Sequence, residues 1–587
     1  MGTISDKLMR IINTKEDIRQ ALISKGYDVP TSIPFKEYAK MILDLPCKVD
    51  SFPDIEGIVA RYSASGLTNE QMAANPVWVD KTGNGHDLQM KNFFWGGMSG
   101  VGGYVQNFNN FKNNATVDKV RIDEQSSNSI KVTILTTGIG NAIYIPKNIY
   151  QFNKSYFIKI SSEGYDEGDM ALSFYAPSTS TATTVTVSLN PNGVTEIPAI
   201  KEDDFLAVYI NVSGKVGSFT VEQLPLYPGA LVFDGVDDWA GCDNLPLLPK
   251  EKGYSIIALR NWITRYDATQ YKRPLISNLD TNDEGAFLIE YRKDENVNDV
   301  TGSYNSFTDV YIDDNNPITW QTSSSYNGQI IKKGTSKSSN KLCICKTYFG
   351  QLSKYANAAI WEIVILDHDA TEEELTKIKD YFVKTYPWLF PDQAWTVTGK
   401  TNEDEDRATI ANITGNGNDL VLSNFGFAEG SGYNEEGEYA GYLVTDGVDD
   451  KAVSKQFKFG KNFTVILDFK FPVKKISYCG FDLSSKVRIQ NLQGSGVYVV
   501  LKGNKTLIPS NVVRAVTSEG KVYDENWNEY NIVPGNVSSN YTMVNLGFDG
   551  SNQFAESATK LAGIYSSTLS KDDCIKAYSY LQTLKAK

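Results

Sequence analysis

Histidine is nearly absent from this chain, with only His86 and His368 among 587 residues. A Ser-His-Asp or Cys-His nucleophile, or a histidine metal site, therefore has little to draw on. Six cysteines (Cys47, Cys242, Cys343, Cys345, Cys479 and Cys574) are scattered along the chain. Cys343 and Cys345 alternate along an apparent strand, so these residues read as reduced core thiols rather than disulfides or metal ligands. No window approaches the roughly 20 apolar residues of a membrane span. The opening "MGTISDKLMR" lacks the cationic segment and apolar run of a secretory leader, which predicts a chain made in the cytoplasm without export. Basic blocks are missing as well. Lys and Arg total 57 against 70 Asp and Glu, a net charge of −13 that gives a nucleic acid backbone nothing to hold. No P-loop or dinucleotide fingerprint occurs. Aromatics are plentiful, at 12 % with 33 Tyr, beside abundant Asn, Ser, Thr and Gly. That balance suits strands and turns, and the length suggests about four domains, so the expectation is a mainly β protein.

The first residues differ from the rest. Ile4, Leu8, Ile11, Ile18 and Leu22 follow a heptad seam in which Lys15 fills the missing apolar position. A second short helix is predicted in "PFKEYAKMILDL", with Phe35, Tyr38, Ala39 and Ile42 on one face. Residues 1–48 thus read as an α-helical hairpin for attachment or oligomerisation. It is too small to be stable alone and must pack on copies of itself, on another protein or on the next domain. The seam predicts a homo-oligomer, a trimer rather than a dimer.

Beyond it the chain repeats itself. "TGNGHDLQMKNF" from Thr82 and "TGNGNDLVLSNF" from Thr414 lie 332 residues apart, each preceded by "FPD" and followed by "DGVDD". Each copy closes with an apolar strand, a Thr371 or Ser570 cap, and an amphipathic helix, which marks a duplicated domain. From Thr82 to Asp234 is 152 residues, but from Thr414 to Asp446 only 32. The difference, about one small domain, predicts a guest. Alternating segments such as "AIYIPKN", "MALSFYA" and "FLAVYINVS" make it a β-sandwich. The domains expected are 49–111 with 229–389, the inserted sandwich 112–228, and 390–587.

The repeated "DGVDD" is read as a hairpin turn at Asp234 and Gly235 and again at Asp446 and Gly447, because Asp-Gly is a strong hairpin signal. Its acidic residues Asp234, Asp237 and Asp238 have the oxygen chemistry of a calcium ligand, but the turn reading is preferred and no cofactor or metal is assigned. A glycosidase needs two carboxyls facing one groove. The nearest approach, "NEDEDR" from Asn402, lies in a polar run and reads as a loop, so no catalytic residue is assigned and the chain is expected not to be an enzyme. Phe93, Phe94 and Trp95 beside a glycine-rich loop could stack on sugars, although alternation buries one or two of them.

On "LVFDGVDD", several strands and the closing cap-helix segment, each unit resembles the LamG-like, concanavalin A-type jelly roll. Joined to the N-terminal "TISDKLMRIINTKEDIRQALISKGYDV" and to "TNEQMAANPVWVDKTGNG", the whole is similar to virion appendage proteins of crAss-like tailed phages. That resemblance implies a structural head or tail fibre on the virion surface, anchored by its N-terminus to capsid or tail proteins and able to adhere to bacterial glycans. A host-encoded surface lectin would be expected to carry a leader or lipid anchor, and a depolymerase a paired acidic groove.

Overall fold

The computed structural model describes residues 52–587 except 177–183, 203–204, 249–253, 265–271, 279–286, 293–308, 313–319, 322–329, 333–339, 347–354, 472–478, 485, 492–496, 511, 536–540, 549–553 and 587. Of the first 51 residues it describes Lys15 and Arg19, both helical. The seam of Ile4, Leu8, Ile11, Ile18 and Leu22 lies outside the described residues. The chain divides into two compact units, a small one of 1–55 with 376–381 and a large one of 56–375 with 382–587. In the small unit Phe52 meets Tyr381 edge to face at 4.9 Å.

The large unit is mainly β, with two concanavalin A-like jelly rolls and an inserted sandwich. Alternating apolar positions bury three separate cores, one in each sandwich. In the first jelly roll the long strand Asn357–Leu366 centres one sheet, pairing with Ile58–Ser63, Leu231–Asp234 and Ser255–Thr264. The facing sheet runs through Leu88–Lys91, Trp239–Cys242 and Leu342–Ile344. The second jelly roll repeats this plan, with Glu556–Tyr565 at the centre of one sheet and Leu420–Ser423 and Lys451–Val453 in the other. After the first central strand, Thr371 and Glu374 form the anticipated capping box of helix Glu372–Thr385; Ser570 caps helix Lys571–Gln582.

The guest's point of insertion follows from the pairing. In the second jelly roll, Gly432–Asn434 and Tyr442–Asp446 form a hairpin closed by residues 435–441. In the first, the equivalent strands Gly100–Val101 and Leu231–Asp234 pair in the same way, and the loop between them carries the guest. The two crossing chains are stitched where they pass, Leu226 N–H to Gly103 O at 2.9 Å and Tyr227 N–H to Gly102 O at 2.8 Å. Gly102 and Gly103 both take positive φ there, and a Cβ on Gly102 would stand 2.8 Å from Pro225. Because the loop ends already lie side by side, the host sheet keeps its register.

The guest is two five-stranded sheets. One contains Val194–Ile197 and Tyr156–Glu163 and faces the second jelly roll. Phe157 packs edge to face on Tyr578 at 5.3 Å. Glu196 Oε2 lies 3.2 Å from Arg514 Nη2, while Arg514 Nη1 bonds Asp468. Tyr442 Oη and Gln582 Nε2 donate to the two oxygens of Asp468, each at 2.9 Å. Burial alone would push Asp468 up, but the Arg514 guanidinium outweighs it and holds the carboxyl well below the usual range. Burial dominates at Glu196 and pushes it up, Arg514 opposing.

Removing a charge from such a buried set strands its partners. Arg514→Met is expected to destabilise the large unit by about 3–5 kcal/mol, measured by denaturant unfolding. Replacing Glu196, Asp468 and Arg514 together with neutral residues should cost less than Arg514→Met alone.

Candidate functional site

Each "DGVDD" segment ends one strand and begins another, but the two strands lie in opposite sheets. Leu231–Asp234 belongs to the sheet of Asn357–Leu366, and Trp239–Cys242 to the facing sheet; Tyr442–Asp446 and Lys451–Val453 are divided in the same way. The hairpin expectation is thus corrected: the segment is a corner between layers. Only the glycine, Gly235 at φ 77° or Gly447 at φ 75°, takes the left-handed conformation, whereas a two-residue type I′ hairpin needs it at both central positions. The aspartates supply the rest of the turn. Asp234 Oδ1 accepts the N–H of Val236 at 2.7 Å, Asp237 at 3.3 Å and Asp238 at 3.4 Å. Asp238, buried, returns the bond by accepting the N–H of Asp234 at 3.1 Å on Oδ2. The second copy repeats it, with Val448 to Asp446 at 2.7 Å and Asp446 to Asp450 at 2.9 Å.

A neighbouring loop braces each corner. Asn92 Nδ2 donates to Asp237 O and Asn424 Nδ2 to Asp449 O, both at 3.0 Å. Ser99 Oγ accepts the N–H of Phe94, and Ser431 Oγ that of Gly426, both at 2.8 Å. Further along, Asn69 and Asn402 each exchange two bonds with the backbone of Val101 and Tyr433. The Asn of each "TNE" therefore has a structural duty that the sequence reading left unassigned.

The electrostatics of the corners are unusual. Asp238 is pushed up to about 7, chiefly by burial, with the charges of Asp234 and Asp237 adding to it. Asp450 is pushed up to about 6, burial again leading. Oδ1 of each has no hydrogen-bond partner among the described residues. One carboxylate oxygen from each of Asp234, Asp237 and Asp238 lies within 4.8 Å of the others, and likewise for Asp446, Asp449 and Asp450. Those oxygens are close enough to share a hard cation such as calcium. The turn also closes through its own hydrogen bonds.

The remaining sequence candidates separate clearly. Phe93 and Trp95 stack at 4.8 Å, Phe93 meeting the core ring of Phe233 at 5.1 Å, whereas Phe94 is 71 % exposed. Gly426 stands in Phe94's place in the second copy, between Phe425 and Phe427. In "NEDEDR", Asp404 accepts from Thr401 and Asp406 pairs with Lys400 at 2.6 Å, so both carboxylates serve the local loop. His368 lies 3.1 Å from Asp367 and 3.2 Å from the capping Glu374. Cys242, Cys343, Cys345, Cys479 and Cys574 are buried thiols outside any disulfide, and burial pushes Cys343, Cys345 and Cys574 up, away from reactivity; Cys47 lies outside the described residues. Glu196, Asp468 and Arg514 escaped the sequence reading, although a lone charge within an apolar strand, as in "TVILDFK" or "VVRAVT", was the available signal.

The chain matches no known protein family and no curated protein. Solved structures with partial likeness include the receptor-binding domain of botulinum neurotoxin mosaic serotype C/D, at 13 % identity and TM-score 0.24 over 32 % of this chain. This chain spans 50 % of that one. Trypanosoma rangeli sialidase in complex with sialic acid is 10 % identical, covering 78 % of this chain and 82 % of its own, at TM-score 0.23. The tandem CBM22 domains of Paenibacillus barcinonensis Xyn10C are 8 % identical over 46 % of this chain and 97 % of their own, at TM-score 0.14. At such scores these likenesses carry no argument, and the fold rests on the strand pairings themselves.

Two pH responses follow. The folded chain retains the Asp238 proton that the unfolded chain loses, so this group's stabilisation is full below about pH 4 and lost as pH rises through about 7. Asp238→Asn cannot ionise. Its melting temperature relative to the parent, measured in EDTA, should be more favourable at about pH 8 than at about pH 5, by about 2 °C. At His368, burial lowers the pKa, but the two carboxylates outweigh it and the net shift is upward. Its contribution is full below the unfolded histidine value and lost as pH rises through the raised one. His368→Gln should therefore cost about 0.5 kcal/mol more at about pH 6 than at about pH 9, read by denaturant titration at both.

Proposed function

We propose that this chain is a non-catalytic fibre or appendage protein of a tailed-phage virion. Its N-terminal helices attach it and assemble it as a trimer, and its β domains stand outward and adhere to host-surface glycans. The observation that supports this most is the joining of three sandwiches into one block by a buried ionic joint and by helix Lys571–Gln582. Tyr578 of that helix reaches Phe157 of the guest, and Tyr580 reaches Trp361 of the first jelly roll. A block held this way presents surfaces at fixed positions, as an appendage requires. Its strongly perturbed carboxylates are engaged in turns and joints, which favours binding over hydrolysis. The virion setting is proposed from the resemblance that the N-terminal segment and the "TGNG" units suggest to crAss-like phage appendages.

Immunogold labelling of intact particles with antibody against the full chain tests the setting. Gold on the particle surface is expected, and unlabelled particles that contain the protein internally would overturn it. Light scattering should give the mass of a trimer, and a monomer at micromolar concentration would remove the proposed assembly.

A further inference from the structure

The guest sandwich turns one sheet toward the second jelly roll and the other away from it. On the outward face of that other sheet, Lys112, Tyr144, Tyr209, Ser173 and Thr186 stand opposite one another on five successive strands. Their neighbours along the strands, among them Ile143, Ile145, Val208, Ile210, Leu172 and Phe174, point into the core, so the alternation fixes the tyrosines on the solvent side. Tyr144 and Tyr209 lie 5.8 Å apart at 32°, and Tyr175 meets Tyr209 edge to face at 6.1 Å. Tyr175 is 46 % exposed and Leu206 beside it 57 %.

Two features mark this group. The hydroxyls of Tyr62, Tyr386, Tyr433, Tyr442 and Tyr565 each have a hydrogen-bond partner. Those of Tyr144, Tyr175 and Tyr209 have none among the described residues and remain free for a ligand. Beside the rings runs a line of uncharged polar groups: Asn211 Nδ2 donates to Ser173 Oγ at 2.6 Å, and Ser173 Oγ lies 3.2 Å from Thr186 Oγ1. Apart from Lys112 at the edge, that row carries no charge, on a chain whose net charge is −13.

We propose that Tyr144, Tyr175 and Tyr209, with Ser173, Thr186 and Asn211, form a binding face for a neutral polysaccharide chain. The inference rests on the glycan-adhesion reading and assigns it a place. Sugar rings offer an apolar C–H face and a rim of hydroxyls. Phenol rings match the first and pair with the second through their own hydroxyls, while Thr186, exposed beside the buried Ser173, supplies a further hydroxyl. An anionic polymer would find only Lys112. A large protein partner would call for a broader apolar centre than three rings and Leu206 provide.

The test is affinity electrophoresis of the full chain in gels containing dextran, laminarin, mannan, xylan or galactan. Retardation by at least one polysaccharide is expected, and it should weaken about tenfold or more for Tyr144→Ala with Tyr209→Ala. Tyr209→Phe, which keeps the ring, should retain most of the binding and report that the sheet is intact. Phe94→Ala should bind as the parent does. Retardation that survives the double alanine variant would overturn this face while leaving glycan adhesion standing. Absence of retardation in all five gels would overturn this face and the adhesion part of the function, whereas surface labelling of particles reports separately on the virion setting.

Discussion

Arg514 sits where the guest meets the second jelly roll, and the arrangement of the large unit depends on what it must satisfy. One guanidinium, buried, faces Asp468 of its own sandwich and Glu196 of the guest, with the Tyr578 ring beneath it at 4.7 Å. Taking these charges out of water is costly, and the loss is recovered only in one geometry. The guest sheet carrying Glu196 and Phe157 must therefore face the second jelly roll. Its opposite sheet, with the tyrosines, is left turned to solvent by the same requirement. The last helix completes the joint because Tyr578, Ser579 and Tyr580 reach the guest, the returning linker at Pro225 and the first jelly roll.

The two jelly rolls show how one scaffold accommodates very different loops. Their acidic corners, the Asn92 and Asn424 braces, and the Asn69 and Asn402 clamps share the same bonds, except that in the first corner the Asp238 N–H also reaches Asp234. All of these hold the junction between the two sheets. The hairpin at Gly432–Asp446 is a short surface loop, and its counterpart carries a whole sandwich, because neither affects the pairing beneath. Repetition thus marks what the sandwich needs in order to close. It also explains why the most conspicuous motif is a layer-to-layer corner, in which the buried Asp238 and Asp450 hold their own turn, while the proposed ligand face lies in the part that was not duplicated.

Much of this was legible in the residues. The spacing of "TGNG" against "DGVDD" located the duplication and the guest, since insertions leave flanking motifs intact while changing the distance between them. Capping at Thr371 and Ser570 was legible because it depends on residues three positions apart. The hairpin expectation failed for a physical reason: a local Asp-Gly signal reports a reversal of the chain, and the sheet that receives the next strand is chosen by pairing with distant residues. Alternation left open whether Phe94 or the pair Phe93 and Trp95 faces the core, and the packing of that pair against Phe233 decides it.

By itself the sequence determined a β-rich, acidic chain with a duplicated domain, a guest sandwich and scattered thiols, because period, turn chemistry and repetition are local properties. Tertiary structure decided which side of each guest sheet is buried against a neighbour. Tyr144, Tyr175 and Tyr209 alternate with core residues as any strand tyrosine would. Only the pairing of five strands into one sheet, and the docking of the other sheet through Glu196, gathers them on a single outward face.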